Sequence, residues 1–258
     1  CRTAAPPATP AAPAATRVGP LDGVLVLDFG FYLAGPFATR QMADLGARVI
    51  KVEEVYGDPV RRGTGGFLCL HRGKESLPLD LKSPAGQRVL AELVRRADVV
   101  HHNQRASAAK RIGIDYETLR AINPRIVYCH SSGYGNRGPW AELPAMEPLH
   151  SALAGLLTRT AGPGNPPDHY VTHMDFGAGL TSVLAVLAAL YERERSGEGQ
   201  YMELPQTGAA LFAMSDVHGR PGAFRETFPL DPEQRGHAAT NALYRTRDGW
   251  VVVACGSE

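Results

Sequence analysis

The first part of the chain alternates short apolar runs with stretches of helical periodicity, and this alternation strongly limits its possible folds. Residues 24–29 form an apolar run, residues 37–45 have helical spacing, and residues 48–53 form a second apolar run. A strand, a helix and a strand within about 30 residues predict a right-handed parallel crossover.

The pattern continues beyond this unit. Helical spacing recurs at 83–96 and 116–122, apolar runs recur at 98–102 and 126–130, and the longest apolar helix is predicted from Asp175 to about residue 195. Strands that alternate with helices predict an α/β fold with a doubly wound, mostly parallel sheet, in a Rossmann-like large domain.

The segments after the long helix predict the start of a smaller domain. A strand is predicted at 201–204, a helix at 208–217 and loops at 219–237. Residues 244–254 alternate around Asp248-Gly249, which predicts a hairpin. We therefore divide the chain into an Ala/Pro-rich linker (1–20), the large domain (21–220), and a connection with the first strands of the smaller domain (221–258). We expect the rest of that domain beyond residue 258, and the linker predicts a tandem protein.

Charge and composition exclude some partners. Lys and Arg number 27 against 26 Asp and Glu, so the formal charge of +1 gives no general attraction to nucleic acid. The longest apolar stretch, 180–191, is shorter than the roughly 18 residues of a membrane-spanning helix, so no membrane partner is predicted. Four widely spaced cysteines without a C-x-x-C pair predict a reduced, cytoplasmic protein, in which Cys129 and Cys255 lie in strands.

Several familiar motifs are absent or incomplete. Gly133-x-Gly135-x-x-Gly138 matches the dinucleotide fingerprint, but Pro139 follows it where a helix should open, so we predict a loop. The chain contains no H-E-x-x-H metal motif and no G-x-S-x-G nucleophile elbow. We expect no metal and no tightly bound cofactor.

Asp175 is the carboxylate with the most informative position, because it begins the most apolar helix. Its position alone favours an N-cap, whose side chain accepts a backbone N–H bond. A helix N-terminus also keeps a carboxylate ionised, as a nucleophile must be. Basic residues recur in predicted loops after the strands, where they could bind phosphate or simply be solvated; Lys74, Arg105 and Arg111 are among them.

Five segments together resemble the family III CoA-transferases, the group of formyl-CoA transferase, carnitine CoA-transferase and α-methylacyl-CoA racemase. They are VLDFGFYLAGPFATRQMADLGARVIKVE up to Glu53, RGKESLPLDLKSPAGQ (72–87), ADVVHHNQ (97–104), LRAINPRIVYCHSSGYGNRGPW (119–140) and ALYERERSGEGQ (189–200). The resemblance runs in order from residue 21 to residue 258.

The resemblance implies a CoA-transferase that moves CoA between an acyl-CoA and a carboxylic acid. Asp175 matches the family's nucleophilic aspartate, which forms a mixed anhydride and then an aspartyl-CoA thioester. Coenzyme A would be a substrate and product, and full-length members form interlocked homodimers. The residues that match positions near CoA are Asn103, Arg105, Arg111, Tyr134 and Asn136, and Glu147 matches an acidic position near the substrate.

The sequence departs from the family pattern at two places. The usual Asn-Phe-Arg-Pro-Gly is replaced by Asn103-Gln104-Arg105-Ala106-Ser107. Met146 occupies the position of the racemase's catalytic histidine, which favours transfer over proton exchange at an α-carbon. An acyl-CoA racemase on the same fold and a non-catalytic CoA-binding module of a tandem protein are the alternatives.

Overall fold

The computed structural model describes residues 19–62, 64–167, 173–220, 223–226, 231–233 and 235–255. Its main sheet has six parallel strands in the spatial order β3-β2-β1-β4-β5-β6. They are β1 (Leu25–Asp28), β2 (Arg48–Glu53), β3 (Lys74–Pro78), β4 (Val99–His102), β5 (Val127–His130) and β6 (Tyr201–Glu203). The predicted doubly wound α/β fold is confirmed. The strand order reverses between β1 and β4, where open α/β sheets bind ligands.

Helices cover both faces of this sheet. They are α1 (Ala34–Asp44), α2 (Thr64–His71), α3 (Pro84–Arg96), α4 (Ala106–Arg111), α5 (Tyr116–Ile122), α6 (Glu147–Leu153), α7 (Leu156–Ala161), α8 (His173–Ser196) and α9 (Gln206–Ala213). Side chains alternate across the strands, so neighbouring strand residues enter different cores. Val26 packs with Met42 of α1 and Val186 of α8, whereas Leu27 packs with Leu90 of α3 and Leu119 of α5.

Helix α8 is the most apolar element. Residues Met174–Ser196 are long and apolar enough to cross a membrane by length and composition, a finding that the shorter apolar run in the sequence did not predict. Ala178 and Val186 are buried, and Val186 packs in the same core as strand β1. This packing identifies α8 as a core helix of the α/β domain.

The structure corrects four local predictions. Strand β3 was not predicted, and α9 begins and ends earlier than the predicted helix at 208–217. The predicted loop at 219–237 contains a hairpin of β7 (Val217–Arg220) with β8 (Ala223–Glu226), followed by β9 (Gly236–Ala238). Cys255 is exposed just after the last strand, whereas Cys129 is fully buried in β5 as predicted.

The predicted hairpin around Asp248-Gly249 is confirmed. Strand β10 (Asn241–Arg245) pairs antiparallel with β11 (Trp250–Ala254), and β9 completes a three-stranded sheet. This small sheet lies in the segment predicted to begin the second domain, whose boundaries remain a prediction.

Two buried ion pairs lie under the turn between β1 and α1. Lys74 Nζ is 2.8 Å from Asp28 Oδ2, and Lys51 Nζ is 2.9 Å from Asp58 Oδ2. Lys74 also donates to the hydroxyl of Thr39, and Lys51 donates to the Gly30 carbonyl. Lys74 was predicted as a possible phosphate-binding residue, but its ammonium is buried and it holds this turn instead.

Candidate active site

A cavity of about 270 Å³ lies at the carboxyl ends of β1, β4 and β5, at the reversal of strand order. Three of the predicted CoA-contact residues line it: Asn103, Arg105 and Asn136. The loop 131–146, which contains the incomplete glycine motif, forms one wall. Gly133 lets this loop fold back tightly, because a Cβ atom there would lie 2.2 Å from Cβ of Ala145.

Asn103 joins two of the turns that border the cavity. Its Oδ1 accepts a hydrogen bond from the Phe31 N–H at 3.0 Å, and its Nδ2 donates to the Phe31 carbonyl at 2.9 Å. The side-chain amide therefore pairs with both backbone groups of Phe31, as a residue of a neighbouring strand would. Asn103 fixes the shape of the rim through its side chain.

The two predicted arginines lie at opposite ends of helix α4. Arg105 Nη1 donates to the Glu142 carbonyl, and the Glu142 carboxylate accepts a hydrogen bond from the Ser107 hydroxyl. The Ser107 bond lowers the pKa of Glu142, with a smaller contribution from the two arginines. Arg111 lines a second cavity of about 780 Å³, together with Lys82. Both arginines are exposed, and they follow the carboxyl end of strand β4.

Asn136 is held by a buried histidine stack that the sequence did not reveal. The rings of His102 and His130 lie 4.3 Å apart and nearly parallel. Burial lowers the pKa of both rings, so both are neutral at neutral pH. His130 Nε2 lies 2.7 Å from the Gln104 carbonyl and can only donate to it, so Nδ1 accepts from Asn136 Nδ2 at 3.1 Å. Asn136 Nδ2 also donates to the Tyr201 hydroxyl.

Asp175 lies in the first turn of α8. The helix begins at His173, so Asp175 lies inside its first turn and the predicted N-cap role of Asp175 is wrong. Asp175 Oδ1 accepts a hydrogen bond from Nε2 of the buried Gln206, the first residue of α9. Burial raises the pKa of Asp175 to about 6, the Gln206 bond lowers it, and Glu147 raises it further. The predicted effect of the helix N-terminus therefore does not keep this pKa low.

Glu147 and Tyr134 both lie at helix α6. Glu147 is buried at the start of α6, and its Oε1 accepts from the Ser151 hydroxyl at 2.5 Å. Its charge raises the pKa of Asp175. The Tyr134 ring packs on His150 of the same helix, with ring centroids 4.7 Å apart. Of these two predicted residues, the structure thus brings Glu147 close to Asp175.

His150 is a buried residue of this site that sequence reasoning missed. The Thr207 hydroxyl donates to the Gly133 carbonyl at 3.0 Å, so it accepts from His150 Nδ1 at 3.1 Å. His150 Nε2 is then an unprotonated acceptor, and it has no hydrogen-bond partner. Burial lowers the pKa of this histidine to about 4. A single histidine within a helix gives no motif by which the sequence could have found it.

Loop 131–146 connects the cavity with the carboxylate. Gly133 lines the cavity, and its carbonyl accepts from Thr207, next to Gln206. Gln206 N–H donates to the Ser132 carbonyl at 2.8 Å. Hydrogen bonds thus connect the cavity wall, through the start of α9, with a partly buried carboxylate that is ionised above about pH 6. Among the described residues, no group of three or more His, Cys, Asp or Glu could hold a metal ion.

The chain is similar in sequence to a protein family and to named enzymes, and similar in fold to a solved structure. Residues 21–258 match the family model described as CoA-transferase family III. The chain is 33% identical to acetyl-CoA:oxalate CoA-transferase of Acetobacter aceti (97% of this chain, 66% of the relative). It is 34% identical to succinate–glutarate CoA-transferase of Agrobacterium fabrum (94% and 64%). A CAIB/BAIF family protein from Brucella suis superposes with a TM-score of 0.82 at 30% identity, over 93% of this chain and 67% of that protein.

The chain spans slightly less than two thirds of the length of the two curated relatives. The family match nevertheless covers residues 21–258, and the fold matches that of a CAIB/BAIF family protein. The chain therefore belongs to CoA-transferase family III.

Proposed function

We propose that the protein transfers CoA from an acyl-CoA to a carboxylic acid through a covalent intermediate on Asp175. The single observation that carries this proposal is the state of Asp175, a partly buried carboxylate in the first turn of α8 with one oxygen held by Gln206. A carboxylate with one oxygen bound and one oxygen remaining can attack a thioester carbonyl. The matched relatives are named as CoA-transferases, which supports the same chemistry here.

The proposed reaction conserves charge and needs no external proton. Asp175 Oδ2 attacks the thioester carbonyl, the C–S bond breaks, and CoA leaves as a thiolate from a mixed anhydride. The thiolate attacks the aspartyl carbonyl and releases the first carboxylate, which leaves an aspartyl-CoA thioester. The acceptor carboxylate attacks this thioester, the C–S bond breaks to release the CoA thiolate, and a second mixed anhydride forms. The thiolate then attacks the acceptor's carbonyl, so a new acyl-CoA forms and the Asp175 carboxylate returns.

We propose that the open sheet edge binds the CoA moiety. Arg105 and Arg111 are exposed cations that suit phosphate groups, and Asn136 presents an amide oxygen that suits a pantetheine N–H. Glu147 lies near the reacting carboxylate, and Tyr134 packs on His150 of the same helix α6. In this scheme Asn103 contributes by fixing the rim of the cavity.

The pH dependence of transfer tests the role of Asp175. Only the ionised carboxylate can attack, so kcat/KM should rise with pH through the Asp175 pKa of about 6 and level off above it. The measurement is the initial rate of the full-length protein between pH 5 and pH 8, with acetyl-CoA or succinyl-CoA as donor and oxalate or glutarate as acceptor. A rate that is flat down to pH 5 would contradict the assignment.

Arg111→Ala should weaken acyl-CoA binding without damage to the fold. Loss of one charge-assisted contact to a phosphate should raise the KM for acyl-CoA about tenfold and leave kcat nearly unchanged. Arg120→Ala, which removes an exposed arginine of helix α5, is the matched control. Equal KM values for the two variants would show that Arg111 does not contact CoA.

Racemisation is distinguished from transfer by exchange at the α-carbon. Met146 has no proton to exchange, and His150 is a weak base because its pKa is lowered to about 4. We therefore expect CoA to appear on the second acid without deuterium uptake by the acyl-CoA. Deuterium uptake without transfer would identify a racemase, and neither event would identify a CoA-binding module.

We also propose that the protein works as a cytoplasmic homodimer. Leu184 of α8 and Phe212 of α9 are more than two-thirds exposed, which favours a partner surface over this region. The exposed thiols of Cys69 and Cys255 suit a reducing compartment. Light scattering of the full-length protein and cell fractionation test these two statements.

A further inference from the structure

We infer that Gln206 is a positioning residue that selects which oxygen of Asp175 attacks and keeps this carboxylate ionised. This inference rests on the proposed function. Gln206 Nε2 donates to Oδ1 of Asp175, so Oδ2 is the oxygen left for attack. A buried hydrogen bond from a neutral amide favours the charged form of the acceptor.

The position of Gln206 is fixed from both ends. Its backbone N–H donates to the Ser132 carbonyl at 2.8 Å, and the next residue, Thr207, binds the Gly133 carbonyl through both its N–H and its hydroxyl. The side chain is buried, so it has no water to exchange for its carboxylate partner. The first turn of α9 thus ties the loop that lines the cavity to the orientation of the nucleophile.

The titratable side chains of α6 near Asp175 do not help to keep its carboxylate ionised. Glu147 on α6 raises the pKa of Asp175, because its negative charge opposes a second one. His150, also on α6, is neutral because burial lowers its pKa. Among the described residues that act on this pKa, Gln206 is the one that lowers it and so counteracts the effect of burial.

The test compares Gln206→Met with Gln206→Glu and Gln87→Met. Methionine keeps the length of the side chain without its donor, and we expect it to raise the pKa of Asp175 by about one unit. Glutamate adds a like charge and should raise that pKa further. Gln87 donates to the Leu81 and Ile112 carbonyls on the opposite face of the sheet, so Gln87→Met should lower stability and leave the Asp175 pKa unchanged.

The readout is the carboxyl carbon resonance of Asp175 in the full-length protein labelled with ¹³C-aspartate, assigned with the Asp175→Asn spectrum and followed from pH 4 to pH 9. The same variants are assayed for kcat/KM at pH 6, where the value for Gln206→Met should be about fivefold lower, because a pKa raised by about one unit from about 6 reduces the ionised fraction of Asp175 by that factor. An unchanged midpoint in Gln206→Met, with an unchanged far-UV spectrum, would overturn the inference. The NMR midpoint is independent of turnover, so a shifted midpoint in a protein without transfer activity would refute the proposed function alone.

Discussion

Replacement of Asp175 by asparagine should abolish CoA transfer and also stabilise the protein at neutral pH. Asparagine keeps the size of the side chain but cannot attack a thioester, so kcat should fall by at least about 10⁴-fold. The stability gain follows from the sign of the pKa shift. Folding raises the pKa of Asp175 from 3.8 to about 6, so the ionised side chain disfavours the folded state at higher pH. Asparagine removes this cost, which amounts to at most about 3 kcal/mol.

The pH dependence of the stability gain is the control for this prediction. The free energy of unfolding of Asp175→Asn should exceed that of the wild type above pH 6, and the two should converge as pH falls below 4, where both side chains are neutral. Urea unfolding at pH 4 and pH 7.5 measures the difference. A variant that is destabilised equally at both pH values would show that Asp175 is a structural residue rather than a strained catalytic one.

Lys74→Met should produce the largest loss of stability of any single substitution considered for this protein. The change leaves Asp28 buried without its closest cation, and breaking a buried pair in this way typically costs about 3–5 kcal/mol. Burial by itself would raise the pKa of Asp28, but the charges of Lys74 and Lys51 and the Lys74 hydrogen bond together hold that pKa well below its usual range. The same substitution removes the hydrogen bond from Lys74 to the Pro36 carbonyl, so the first turn of α1 should loosen.

Two variants separate the buried pair from a general charge effect. Arg48→Met removes an exposed ion pair with Glu75 between the neighbouring strands β2 and β3, and it should cost less than about 1 kcal/mol. The double variant Asp28→Asn, Lys74→Met removes both buried charges and should lose less stability than Lys74→Met alone. Equal losses for Arg48→Met and Lys74→Met in urea unfolding would contradict the role assigned to the buried pair.

Much of the fold could be predicted because its signals are local. Apolar runs and helical spacing depend on neighbouring residues, and they identified β2, β4, β5 and α5 within one residue of their bounds. Ser83 was recognisable as an N-cap before Pro84, and its hydroxyl accepts from the Gly86 N–H at 3.0 Å. Strand β3 escaped because Lys74–Pro78 is a half-exposed edge strand that contains two charged residues.

The site could be predicted less well from the sequence, because its contacts join residues that are far apart in the chain. Gln206 is 31 residues from Asp175 in the sequence, and Asn103 is 72 residues from Phe31, to which its side chain is hydrogen-bonded. Burial raises the pKa of Asp175, and Glu147 on α6 and Gln206 on α9 modify it in opposite directions. The position of Asp175 at the start of a helix predicted a low pKa, because such a prediction does not include the burial that distant segments produce.

The measurement that most directly tests the central claim is the trapping of the acylated aspartate. The full-length protein is incubated with acetyl-CoA or succinyl-CoA and hydroxylamine, digested, and analysed by mass spectrometry. Hydroxylamine attacks an activated aspartyl carbonyl and leaves a hydroxamate, so we predict a hydroxamate on the peptide that contains Asp175, only when acyl-CoA is present. Transfer of CoA to an acceptor acid while this peptide remains unmodified would contradict the covalent mechanism.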